Sequence, residues 1–107
     1  MAQYRIAIVV GSLRRESYNR RLAHALTRLG PADFEFIELR IDDLPLYNQD
    51  DDANPPDAAV RLKREVRESS GVLFVTPEYN RSVPGVLKNA LDHASRPYGD
   101  SAWAGKP

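Results

Sequence analysis

The sequence contains no cysteine in 107 residues, which excludes disulfides, thiol nucleophiles and cysteine-based metal sites. A reducing cytoplasm is compatible with that composition. Long hydrophobic runs are also missing. The longest, Ile6 to Val10, is far short of the roughly 20 residues a spanning helix needs, and no signal-peptide pattern precedes it. Excess charge of one sign is absent too, since 15 basic residues balance 15 acidic ones. No overall field would therefore draw in nucleic acid or an anionic membrane, and neither is an expected partner. Histidine is scarce. His24 and His93 each lack a second histidine at metal spacing, so packing or helix-surface roles are expected and no metal site. No Ser-His-Asp or paired-carboxylate constellation stands out, and no catalytic side chain is assigned.

The charges that are present are unevenly placed. Residues 41 to 60 carry Asp42, Asp43, Asp50, Asp51, Asp52 and Asp57 without a lysine or arginine. This loop reads as solvated surface; "NQDDDAN" lacks the ligand spacing, the turn glycine and the closing Glu of an EF-hand loop. Arg14, Arg15, Arg20 and Arg21 crowd one turn near the start.

Apolar patterning divides the chain into alternating elements. Tyr4 to Val10, rich in Ile and Val and bounded by Gly11, reads as a buried strand. Leu22, Ala25, Leu26 and Leu29 share one face of a helix over Tyr18 to Leu29, which Gly30-Pro31 ends. Phe34 to Leu39 is a second strand, more exposed than the first. Leu44 to Asn54 is loop. A second helix starts near Pro55-Pro56, with Asn54 as its cap, and buries Ala59, Leu62 and Val66. "VLFV", Val72 to Val75, reads as a strand covered on both faces. A third helix, with Pro84 as its first residue, spaces Leu87, Ala90, Leu91 and Ala94 along one face. Lys88 and Asp92 form a surface i, i+4 pair, and Trp103 belongs to core or interface.

Strand and helix alternating three times predicts an α/β domain with a parallel sheet, and the length suits one domain over residues 1–107. Right-handed crossovers with strand three beside strand one give the order 2-1-3 of a doubly wound sheet. Helix one then covers one face, and helices two and three the other. The crossover direction reverses after helix one, opening a crevice at the carboxyl ends of strands one and three, where ligands bind in such sheets. The two unusual loops follow those two strands.

The first loop, "GSLRRESYNRR", gathers small and cationic donors at the start of a helix. Unpaired N–H groups and the helix dipole make that position suited to an anion. Gly11 is read as allowing a sharp turn. Ser12, Ser17, Asn19 and Arg14 can donate to phosphate oxygens, each bond to a charged group contributing about 1.5–3 kcal/mol. Composition alone serves equally well for a plain strand-to-helix turn, with Ser17 as N-cap and the arginines in water. The chain has neither G-x-x-x-x-G-K-[ST] nor G-x-G-x-x-G. "VVGS" and "TPEYN" stand where a phosphorylated receiver domain needs its acidic residues.

"GSLRRESYNRRLA", followed by "TPEYNRSVPGVLKNALDHASRP", resembles the NADPH-dependent FMN reductase family, which includes quinone and chromate reductases and has a flavodoxin-like fold. The resemblance spans essentially the whole chain. It implies bound FMN, with NADPH or NADH as hydride donor and a quinone, chromate or free flavin as small-molecule acceptor. It assigns the FMN phosphate to Ser12, Arg14, Ser17 and Asn19, with Leu13, Arg15, Glu16 and Tyr18 completing the loop. Glu16 and His93 depart from the family pattern, where a small residue and a tryptophan are common. Pro77, Glu78, Tyr79 and Asn80 would border the isoalloxazine, held between the stiff points Pro77 and Pro84. The resemblance also implies a homodimer or homotetramer. It implies, too, a chain continuing beyond "WAGKP" into a fourth strand, so that residues 1–107 are C-terminally incomplete. A non-catalytic FMN-binding electron carrier is the alternative. Dedicated carriers of flavodoxin type are strongly acidic and use a threonine-rich phosphate loop, and neither feature occurs here.

Overall fold

Alternation along the first strand organises the molecule. In the computed structural model, which describes residues 3–14 and 17–107, β1 (Tyr4–Val10) pairs in parallel with β2 (Phe34–Glu38) on one side and β3 (Gly71–Val75) on the other. The strand order is 2-1-3. Side chains of a strand alternate between faces, and β1 buries both sets. Ala7 and Val9 join Leu62, Val66, Leu87, Ala90 and Ala94 of α2 (Asp57–Glu68) and α3 (Gly85–Ser95). Ile8 and Val10 join Ala23 of α1 (Tyr18–Leu29) and Val75 on the opposite face. This is the doubly wound, flavodoxin-like arrangement expected, with α1 the one helix on its face among the described residues. No helix among the described residues is long and apolar enough to cross a membrane.

Several local expectations are corrected. On α1 the buried residue is Ala23, whereas Leu22 and Leu29 are exposed. With a 3.6-residue period, Ala23 and Leu26 face the narrow sheet and Leu22 and Leu29 fall on the helix flank. β3 packs on both faces, Val72 against the α2–α3 cluster and Leu73 and Val75 against the α1 cluster, but the cover is incomplete, with Phe74 41% exposed. Asn54 does not cap α2. Its N–H donates to Asp51 in a turn, and Pro56 occupies the cap position, its carbonyl accepting from Ala59 and Val60. Pro84 likewise precedes α3 as cap rather than first residue. Gly30 ends α1 without a positive φ; a Cβ there would lie 2.5 Å from the Phe36 ring, so contact with β2 is what requires glycine.

Candidate functional site

The loops after β1 and β3 leave the same end of the sheet and touch at their bases. Gly11 N–H donates to the Val75 carbonyl at 2.9 Å, extending the β1–β3 ladder. A Cβ on Gly11 would lie 2.3 Å from Thr76 Oγ1 and 2.7 Å from Thr76 Cβ. Gly11 is not among the positive-φ glycines, so glycine is needed there for close approach of the two loops and not for the sharp turn read from sequence. Thr76, which the sequence reading passed over, is the other half of that contact.

In the first loop, two buried serines order the start of α1. Ser17, 3% exposed, is the N-cap, and its Oγ accepts from the N–H groups of Asn19 (3.2 Å) and Arg20 (3.4 Å). Ser12, 7% exposed, accepts from Arg14 N–H at 3.3 Å. Ser17 Oγ thus accepts two backbone bonds and Ser12 Oγ one, and neither hydroxyl donates a hydrogen bond among the described residues, so each can still donate. No acidic residue occupies the first turn of α1 to neutralise the dipole. The Arg14 and Arg21 guanidinium groups lie 6.0 and 5.7 Å from the exposed Tyr18 ring. Arg20 reaches the Arg14 carbonyl (3.4 Å) and Glu38 (3.5 Å), tying the loop to the end of β2. Arg20, named in the sequence only as one of the crowded arginines, thus takes a structural part at the site. Arg15 and Glu16 lie outside the described residues.

Leu13 is exposed and, with Ser12, borders a cavity of about 480 Å³ that opens toward β2 and includes Arg20, Glu38 and Arg40. No residue of the second loop lines it. The structure thus brings Ser12, Leu13, Arg14, Ser17, Tyr18 and Asn19 together around the start of α1, and joins them to the second loop through Gly11 and Thr76.

The second loop is a tight hairpin, not merely a segment between two prolines. Tyr79 and Ser82 exchange both backbone bonds at 3.0 Å, with Asn80 and Arg81 at φ 51° and 63° between them. Thr76 Oγ1 donates to the Pro77 carbonyl at 2.9 Å. Glu78, Tyr79 and Asn80 are exposed on this hairpin, and Pro77 is half-buried at its root.

A third segment braces the opposite, C-terminal end of α3 at Arg96. Tyr47 Oη donates to Asp52 (2.7 Å), and Arg96 donates to both Tyr47 Oη (2.7 Å) and Asp52 (2.8 Å). The Tyr47 hydrogen bond first, and the Arg96 guanidinium with it, hold the Asp52 carboxyl below the usual range. Burial first, with the Asp52 bond, pushes the Tyr47 phenol up, so it stays protonated. His93 is buried, its Nε2 2.6 Å from the Pro45 carbonyl, which makes Nε2 the protonated nitrogen. The aspartate loop is therefore partly built into the fold at Asp52, not simply solvated. Among the described residues no group of three His, Asp or Glu could hold a metal ion.

Comparison with known proteins converges on one family. The model of a family described as NADPH-dependent FMN reductase matches residues 4–107. A 2-hydroxy-1,4-benzoquinone reductase of Burkholderia sp is 59% identical over 103 residues, covering 96% of this chain and 56% of that protein. A quinone reductase of Pseudomonas putida is 60% identical over 105 residues, covering 97% and 56%. Among solved structures, the flavoenzyme NAD(P)H:(acceptor) oxidoreductase FerB of Paracoccus denitrificans superposes with a TM-score of 0.92 at 49% identity, covering 97% of this chain and 57% of that one. The chain spans about half the length of the curated relatives it matches.

Proposed function

The chain belongs to the NADPH-dependent FMN reductase family, and from that membership we propose that it binds FMN and passes electrons from NAD(P)H to a small acceptor. A quinone is the first choice of acceptor, because the similar proteins from Burkholderia sp and Pseudomonas putida are named for quinone reduction. Chromate and free flavin are further candidates. Those names also favour turnover over a passive carrier. We read the protein as a cytoplasmic homodimer or homotetramer, which light scattering of the purified protein tests.

One observation carries the cofactor assignment. Ser12 and Ser17 are buried at the start of α1, and each hydroxyl accepts from backbone while keeping a proton to give. A phosphate there would receive both protons and the charge of Arg14, with the helix dipole behind them. Asn19, in the first turn, adds a carboxamide donor. Leu13 and Tyr18 shape the rim, the Tyr18 ring lying against Arg14. These donors fit a phosphate monoester, the tail of FMN. Arg15 and Glu16 complete the loop by family pattern alone.

When bound, FMN supplies the two-electron chemistry, taking a hydride from reduced pyridine nucleotide and giving electrons to the acceptor. The protein's part is to hold and orient. Pro77, Glu78, Tyr79 and Asn80 offer a stiff platform for a flat ring, because the Tyr79–Ser82 backbone pair fixes the hairpin above the contact with Gly11. The Asn80 carboxamide and the backbone N–H groups of the turn would be the donors for the polar edge of the ring, where donors favour the reduced, more anionic state.

Arg14→Ala tests the assignment. Arg14 is exposed, so folding stability should change by less than about 0.5 kcal/mol. FMN affinity should fall about 10- to 100-fold, the equivalent of one charge-assisted bond. Equal flavin content in variant and parent after purification refutes it. A parent whose band near ~450 nm does not bleach with NADPH refutes the reductase reading itself.

A further inference from the structure

The second-loop hairpin carries a cation where its backbone favours glycine. Both central residues of the two-residue turn have positive φ, the pattern of a type I′ turn, in which Asn-Gly is the preferred pair. Asn80 suits the first position. Arg81, at φ 63°, holds a left-handed conformation that side chains with a Cβ rarely adopt and glycine adopts freely. Strained residues of this kind cluster at functional sites.

The guanidinium of Arg81 is also uncompensated. Arg20, Arg40, Arg61 and Arg96 each lie within ion-pair distance of a carboxylate. Arg14, Arg21, Arg28 and Arg64 have no ion pair among the described residues, but of the arginines without one Arg81 alone sits at positive φ. Arg81 is exposed and has no ion pair or hydrogen bond among the described residues. Glu78, on the same hairpin, is not paired with it. Because the hairpin is closed on both sides by the Tyr79–Ser82 bonds, the cation's anchor is a stiff tip and not a floppy loop. That tip leaves the carboxyl end of β3, beside the loop that holds the phosphate donors.

Of the reactants a reductase of this kind must receive, the pyridine nucleotide is the polyanion. Its nicotinamide has to reach the cofactor ring while its pyrophosphate, and in NADPH a third phosphate, stay outside. A simple quinone carries no charge. We propose that Arg81 is the specificity-determining residue that docks the phosphates of the reduced pyridine nucleotide. This rests on the FMN reading above. An exposed guanidinium contributes to such binding in a salt-dependent way and leaves the chemical step alone.

The test is steady-state reduction of 1,4-benzoquinone by the FMN-loaded protein. Arg81→Asn, which tolerates the turn and removes the charge, should raise KM for NADPH about tenfold with kcat, benzoquinone KM and FMN content unchanged. Arg81→Lys keeps the charge and should stay within about twofold of the parent. The salt dependence of KM should flatten in Arg81→Asn. An equal rise for NADH places the contact at the pyrophosphate; a rise confined to NADPH places it at the extra phosphate. Arg81→Gly should lose the same affinity while raising the thermal midpoint, since the backbone strain is gone. An unchanged KM in Arg81→Asn, a parallel rise for benzoquinone, or a lysine variant as impaired as the asparagine one would overturn the proposal. A parent that bleaches with NADPH beside insensitive variants overturns Arg81 alone, whereas a parent that retains no FMN overturns the reading beneath it.

Discussion

Replacing Gly11 with alanine should damage both loops at once, and the size of the effect follows from distances. The new Cβ would meet Thr76 Oγ1 at 2.3 Å and Thr76 Cβ at 2.7 Å. Rotating the threonine moves the hydroxyl but leaves its Cβ in place. Carbon atoms pack without repulsion at about 3.5 Å or more, so β1 and β3 must part there by roughly 0.8 Å. The Gly11 to Val75 hydrogen bond, now 2.9 Å, would stretch beyond useful length. Overpacking costs about 1–3 kcal/mol, and the weakened bond adds about 1 kcal/mol. We expect a loss of about 2–4 kcal/mol in urea unfolding and weaker FMN retention, read by flavin fluorescence. Thr76→Gly removes the obstructing Cβ, so the double variant should be more stable than the sum of the single losses allows. Gly11→Ala within about 0.5 kcal/mol of the parent, or strict additivity in the double variant, refutes the steric argument.

Ser17→Ala should cost about 1 kcal/mol by removing the α1 cap and should weaken FMN binding as well. Ser17→Gly should lose the cofactor similarly but only a few tenths of a kcal/mol of stability; a glycine variant with parental FMN affinity would limit Ser17 to capping. The Asp52 carboxyl is held low by Tyr47 and Arg96. Its contribution to stability is therefore complete above the unfolded carboxyl value of about 3.9 and is lost as pH falls through the lower folded value. Urea midpoints measured from neutral to acid pH should decline less steeply in Asp52→Asn than in the parent, and parallel curves would show that the Tyr47–Asp52–Arg96 cluster does not respond to pH in this way.

Sequence patterning was strongest where a local rule acts within one element. Tyr4–Val10 and Tyr18–Leu29 have the bounds that apolar periodicity assigns them, and Ala59, Leu62 and Val66 are buried as their spacing requires. The cluster of small and cationic residues in the first loop was legible because its members are neighbours in the chain. The helix-cap reading of Ser17 is borne out, its Oγ accepting from Asn19 and Arg20. The second loop was less legible. Asn80-Arg81 lacks the Asn-Gly signature, and the hairpin exists because Tyr79 and Ser82 pair.

Local chain chemistry alone determined the alternation of strands and helices, the buried central strand and the gathering of serine, arginine and asparagine at the start of α1, because each depends on residues a few positions apart. Only the tertiary structure decided which side of α1 is covered, why residue 11 has no side chain, and that Asp52 is clasped by Arg96 across 44 residues. Those outcomes depend on which distant atoms meet, and spacing along one strand or helix carries no record of that.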